Sequence, residues 1–194
     1  HVLDNWGPNI IRLFCLSAGY SKPIDYSEKL LKENIATLRH IELCYYGLKQ
    51  ANDLRDTKEK IGIAERLVSD ARNEFDAALN NDLDTVGALG AFELLVNVTV
   101  NSLIPEETLT QTSAKIILAE FERMSEILGI QIINVSDAEK NEINQMVKKR
   151  DECRAEKNYE QADKIRDELV GKNVSFIDHK NKTIWVKQEK IKAE

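Results

Sequence analysis

Arg154, Tyr159, Asp163 and Arg166 fall on one short helical segment, and Asp178 and Trp185 lie on two strand-like runs just beyond it. These residue types can read an unpaired nucleic-acid base. A carboxylate offers two acceptor oxygens side by side, and guanine is the standard base with two adjacent donors on its Watson–Crick edge. A guanidinium beside the carboxylate can steady such a pair, stack on a base or grip a phosphate. A flat ring gives a base something to stack on, worth roughly 1–3 kcal/mol. The same residues also fit plainer roles. Asp163 and Arg166 stand three apart and could form a solvated ion pair of about 0.3–0.5 kcal/mol. Tyr159 could staple a helix start, Trp185 could anchor a small core, and Asp178 could shape a turn.

Independent catalysis has little to build on. The histidines are His1, His40 and His179, far apart in the chain. No nucleophile elbow, P-loop or glycine-rich dinucleotide fingerprint occurs. Asn81-Asp-Leu-Asp84 begins like a calcium loop but lacks its glycine and distal glutamate. Cys15, Cys44 and Cys153 form no CxxC pair and no disulfide framework, so they are expected to be small buried hydrophobes in a reducing compartment. No catalytic residue, metal ligand or cofactor is therefore expected in this segment.

Composition bounds the rest. In 194 residues the net charge is −6, which argues against a non-specific nucleic-acid coat and against DNA. The charge is uneven. Residues 141–194 hold 13 Lys+Arg and 11 Asp+Glu, leaving 14 and 22 for the remainder. From Asn73 to Ala114 there is no Lys or Arg, so that stretch should not face phosphates. The longest apolar run, Leu83 to Ile104, is interrupted by Asp84, Glu93, Asn97 and Asn101, and is expected to be a buried helix rather than a membrane span. No signal peptide pattern opens the chain. It begins at His1 without a methionine, and it is expected to be an excised part of a longer protein.

Helical periodicity dominates. Ile10 to Ala18 predicts a helix capped at Gly19, and Asp25-Tyr-Ser-Glu28 reads as a capping box for a long helix carrying Leu31, Leu38 and Ile41. Residues 52–58 read as a loop. Ile61 to Leu79 predicts a second long helix, and Asp84 or Thr85 a cap for a third. Pro105 suits the first turn of a helix, and Ala114 to Leu128 predicts a fourth long one ended by Gly129. Ser136-Asp-Ala-Glu139 and Asn158-Tyr-Glu-Gln161 are two further capping boxes. The first opens a segment whose apolar stripe, Ile143, Met146, Val147 and Cys153, is thin enough to predict a mobile element. The second opens a helix that should bury Ala162, Ile165 and Leu169. Val174–Asp178 and Thr183–Lys187 alternate as strands around a turn at His179–Lys182, and the chain end is expected to fray. The fold class is mainly α, an antiparallel helical bundle followed by a small α+β C-terminal domain with a β-hairpin.

Four blocks resemble cysteinyl-tRNA synthetases, class I enzymes. Ile11 to Glu28 resembles that family's R-x-F-L-L-S-x-H-Y-R-S-P-L-x-Y-S-E segment. Phe75 to Thr85 resembles F-x-x-A-M-x-D-D-x-N-T-P, and Phe121 to Ile130 resembles F-x-x-x-x-x-V-L-G-L. Arg154 to Trp185 resembles R-x-x-K-D-W-x-x-A-D-x-I-R-D-E-L followed by a G-T-x-W hairpin. Tyr159 stands where the family commonly has tryptophan, Val86 where it has proline, Gly19 where it has histidine, and Lys182 where the hairpin has glycine. The resemblance implies residues 1–26 as a remnant of the stem-contact region, 27–135 as a helical anticodon-binding bundle and 136–194 as a small anticodon-recognition domain. It implies that Arg154, Tyr159, Asp163, Arg166, Asp178 and Trp185 contact the anticodon GCA, with Asp163 on its guanine. It also implies tRNA(Cys) and the enzyme's own catalytic domain as partners, no membrane, and a cytoplasmic setting. The intact enzyme of this family joins cysteine to tRNA with ATP and carries zinc. Its HIGH and KMSKS signatures are absent here, so the segment alone is expected to be inactive.

Two other readings fit the residues. One is a helical protein–protein interaction module without RNA specificity, in which the tail only caps the bundle. The other is the tail of a synthetase-like ligase that has lost tRNA recognition.

Overall fold

The computed structural model describes residues 2–106, 108–179 and 182–192, apart from the side chains of Asp4, His179 and Lys182. It is mainly α with one two-stranded antiparallel sheet, the fold class expected from periodicity. The elements are α1 (Val2–Trp6), α2 (Pro8–Leu16), α3 (Glu28–Lys49), α4 (Lys58–Asn80), α5 (Thr85–Val98), a π-helical turn (Thr99–Leu103), α6 (Gln111–Leu128), α7 (Asp137–Ala155), α8 (Tyr159–Gly171), β1 (Val174–His179) and β2 (Lys182–Lys187). They divide into two compact units, residues 1–131 with 191–194, and residues 132–190.

In the first unit, α4 turns one stripe inward through Ala64, Val68, Ala71 and Phe75, the spacing of a single helix face. That stripe meets α5 and α6. Phe92 and Phe121 pack with ring centroids 5.1 Å apart, and Tyr45 of α3 lies 5.9 Å from Phe121. Thr85–Leu103 is long and apolar enough to cross a membrane, with mean hydropathy 1.4. Here it lies in the bundle with Ala88, Phe92, Leu95 and Val96 buried, as the interrupting polar residues foretold. Asp84 caps it by accepting from the Gly87 N–H at 3.0 Å. Burial pushes the Cys44 thiol well above its ordinary range, so it is inert. Cys15, expected to be buried, is exposed on the open side of α2.

An ionic cluster also sits in this unit. The Glu120 side chain is fully buried and accepts from Arg72 at 2.8 Å and from Arg123 at 2.8 Å, while Arg123 reaches Asp76 at 3.0 Å. The loop at 52–57 is pinned to the start of α6, since the Gln111 N–H donates to the Asp53 carbonyl at 2.7 Å.

Several expected boundaries move, each for a local reason. Helix α2 ends at Leu16, where the Ser17 hydroxyl donates to the Phe14 carbonyl at 2.8 Å. Gly19 therefore does not cap it and has no positive φ. Helix α3 starts at Glu28 with Ser27 extended before it, which leaves the Asp25 box two residues out of register. Pro105 starts no helix, because α5 runs on into the π-helical turn and the chain then turns at Pro105. The cap of α6 is Thr110, paired reciprocally with Ser113, three residues earlier than periodicity suggested. Gly129 does end α6, with φ 71° and the following Ile130 N–H returning to the Ser125 carbonyl at 2.8 Å.

In the second unit, α8 packs on α7 and on β1, burying Ala162, Ile165 and Leu169 as expected. Ser136 and Asn158 cap α7 and α8 by accepting from the Glu139 and Gln161 N–H groups. The hairpin pairs Phe176 with Trp185 and Asp178 with Thr183. Its turn residues Lys180 and Asn181 lie outside the described residues.

Candidate nucleic-acid interface

The thin apolar stripe of α7 is completed by polar contacts. Ile143, Val147, Arg150 and Arg154 stand at helical spacing on one face. Ile143 and Val147 are buried, and so is Arg150, only 4% exposed. Along that face α7 meets the hairpin in a ladder of polar rungs. Lys187 donates to Glu139 at 2.7 Å, the Trp185 indole N–H to Asn144 at 2.7 Å, and the Thr183 hydroxyl to Asp151 at 3.0 Å. Arg150 closes the ladder on Asp178. The strand side chains that make these contacts, Thr183, Trp185 and Lys187, alternate along β2 and so share one face.

Asp178 is the hub. Its Oδ1 accepts from Arg150 Nη1 at 3.0 Å and lies 3.0 Å from the Thr183 hydroxyl, whose one proton is shared between Asp178 and Asp151. Its Oδ2 accepts from Arg150 Nη2 at 2.8 Å and from Arg154 Nη1. The paired guanidinium of Arg150, with help from Arg154 and Thr183, holds the Asp178 carboxyl far below the ordinary carboxylate range. Asp178 in turn raises the Arg150 pKa. Arg150 also lies over the Phe176 ring, 4.1 Å from its centroid, so an arginine that would be costly to bury alone is paired on its edge and covered on its face.

Helix α8 supplies the open part of the site. Tyr159, Asp163 and Arg166 stand at i, i+4 and i+7, one exposed stripe beside the buried one. Tyr159 is 61% exposed, and no staple contact holds it. Asp163 is exposed, and its carboxylate has no hydrogen-bond or ion-pair partner among the described residues. The solvated pair with Arg166 is not formed. Arg166 instead leans toward the Phe176 ring, 5.9 Å from its centroid. Phe176 thus joins the α8 stripe to the Asp178 hub.

Of the six residues singled out from sequence, Arg154 and Asp178 are bonded to each other, and Tyr159, Asp163 and Arg166 share an exposed stripe. Trp185 is different. It is 2% exposed with its N–H tied to Asn144, which gives it the core-anchor role weighed above and leaves no ring face for a base. Sequence reasoning missed Arg150, Phe176 and Thr183. The signal for Arg150 was present, since it falls on the Ile143–Val147 stripe where an apolar residue belongs. Phe176 alternates with Asp178 and so had to share its face.

No group of three His, Cys, Asp or Glu side chains among the described residues is arranged to hold a metal ion.

No protein-family model matches the chain. Curated proteins similar to it include aminoacyl-tRNA synthetases. They are cysteine–tRNA ligases, and the chain is homologous to them over nearly its whole length. The ligase of Caldicellulosiruptor saccharolyticus is 34% identical over 185 residues, covering 91% of this chain and 37% of that protein. Those of Bacillus cytotoxicus and Bacillus cereus are 30% and 28% identical over 188 residues, covering 95% of this chain and 39% of each relative. The chain thus spans about two fifths of the length of these relatives.

Proposed function

We propose that residues 132–190 carry the anticodon-reading surface of a cysteine–tRNA ligase, acting on tRNA(Cys) in the cytoplasm. The intact enzyme would use ATP to join cysteine to that tRNA, with the ATP and zinc sites lying in the three fifths of the relatives that this chain does not match. The observation that carries this reading is the Asp163 carboxylate, exposed between Tyr159 and Arg166 on one stripe of α8 and without a partner among the described residues. An open carboxylate accepts both donors of a guanine edge, Arg166 balances the charge and reaches toward phosphate or base, and Tyr159 offers a ring. Guanine is the first base of the GCA anticodon that the resemblance implies. A net charge of −6 makes general electrostatic capture of RNA weak, so binding should be selective rather than merely strong.

The test is binding of this chain to anticodon stem-loops carrying GCA or ACA, at two salt concentrations. The reading expects a preference of tenfold or more for GCA, about 1.4 kcal/mol. Equal weak binding to both loops would favour a protein-interaction module.

A further inference from the structure

The hub beneath the α8 stripe is built unequally. A carboxylate has about four in-plane acceptor positions, and Asp178 has a donor group at each: three bonds come from Arg150 and Arg154, and the fourth contact is the Thr183 hydroxyl, whose single proton is shared with Asp151. A base edge approaching this carboxylate meets three guanidinium bonds already in place. Two of these three bonds come from Arg150, the most deeply buried arginine of the hub, gripped as a fork and covered by Phe176. One bond comes from Arg154, whose side chain is 47% exposed and whose remaining guanidinium donors face solvent. The fixed partner and the exchangeable partner are therefore distinct residues.

We propose that Arg150 is a positioning residue. It locks Asp178 as an anchor from which Arg154 is aimed outward at RNA, while the open Asp163 is the carboxylate that reads a base. This rests on the anticodon-reading function above and deepens it. It changes what the individual residues do, because a carboxylate held by three guanidinium bonds orients its neighbours, and one with no partner among the described residues is open to pair. A guanidinium already held at one nitrogen by a fixed anchor also loses less freedom when it grips RNA than one swinging free. Arg150 touches no RNA in this arrangement; its other contacts, with Asp151 at 2.8 Å and the Phe176 ring, are also internal, so its removal should reach RNA binding through Asp178 and Arg154.

The experiment uses the whole chain with Arg150→Met, Arg150→Lys, Asp178→Asn and the double variant Arg150→Met/Asp178→Asn. Affinity for the GCA stem-loop should fall about tenfold in Arg150→Met and in Asp178→Asn. The double variant should bind within about twofold of Asp178→Asn alone, the non-additivity of two residues acting as one unit. Arg150→Lys, which keeps the charge but not the fork, should recover only part of the loss. The preference for GCA over ACA should survive in every variant, because Asp163 is untouched. Losses that multiply in the double variant, or a lost preference in Arg150→Lys, would overturn the proposal.

A second readout needs no RNA. The Arg154 Nε–H group, followed by ¹⁵N relaxation, should be rigid in the parent chain and mobile in Arg150→Met. Unchanged rigidity would also overturn it. Should the hairpin amides of Arg150→Met no longer show a folded spectrum, Arg150→Lys carries both measurements. Failure of the parent chain to prefer GCA would instead remove the anticodon-reading function, while the relaxation data would still judge Arg150.

Discussion

Trp185→Phe separates a buried anchor from a stacking platform. The indole is 2% exposed on β2, and its N–H is bonded to Asn144 across the α7 ladder. Phenylalanine places its ring about where the indole's five-membered ring sat, and removes the N–H and the outer benzo edge. That edge accounts for roughly 50 Å² of buried apolar surface, about 1 kcal/mol at about 25 cal/mol per Å². The lost hydrogen bond adds about 1 kcal/mol, and no more, because Asn144 is exposed and water can take its place. The small void left behind adds up to about 1 kcal/mol. The unit at 132–190 should thus lose about 2–3 kcal/mol. Trp6, the other tryptophan, lies in the first unit, so fluorescence would miss the change. Amide hydrogen exchange across Val174–Lys187 would detect it, as a rise in exchange rate of roughly 30- to 150-fold. Among molecules still folded, affinity for the GCA loop should change by less than about threefold. Unchanged hairpin protection together with a loss of RNA binding of tenfold or more would refute the burial argument and return Trp185 to the RNA surface.

Two further predictions concern charge. Asp178 is held below its ordinary pKa, so its contribution to stability is complete above about pH 4 and drains as the pH falls from there toward the folded value. Asp178→Asn should be less stable than the parent at pH 7 and should lose less stability below about pH 4, as read from urea midpoints of the hairpin signals between pH 7 and pH 2.5. Parallel curves for the two chains would contradict the pairing. In the first unit, Glu120→Gln keeps the shape of a buried carboxylate but turns an amide toward Arg72 or Arg123. Breaking such a buried pair costs about 3 kcal/mol, checked by urea unfolding followed at Trp6, and a cost under about 1 kcal/mol would contradict it.

Much of the fold was legible because its signals are local. Apolar residues at helical spacing marked the long helices, and the alternation of Val174–Asp178 and Thr183–Lys187 marked the hairpin. Errors arose where backbone competition decides. The Gly19 cap and the Asp25 box are each sound motifs that lost to a neighbour, Ser17 in one case and Ser27 in the other. Pro105 carries a helix-start signal, yet the apolar run before it continues as helix until it reaches the proline. At the site, spacing alone made Asp163 and Arg166 neighbours on one helix, and Tyr159 joins their stripe one turn earlier. The Asp178 hub was not legible, since it joins residues 150 and 178 through a buried ion pair where the pattern of α7 calls for an apolar side chain. The polar ladder also accounts for the thin stripe that suggested mobility, because hydrogen bonds to β2 stand where apolar contacts were missing.

Asp163→Asn is the most direct measurement of all. It preserves shape, exchanges one acceptor oxygen for a donor, and touches no partner among the described residues, so the fold should be undisturbed. Titrating the parent chain and Asp163→Asn with GCA and ACA stem-loops should give a preference of tenfold or more for GCA in the parent and none in the variant, with equal thermal midpoints for the two proteins. An undiminished preference for GCA in Asp163→Asn would contradict the assignment of base reading to this carboxylate.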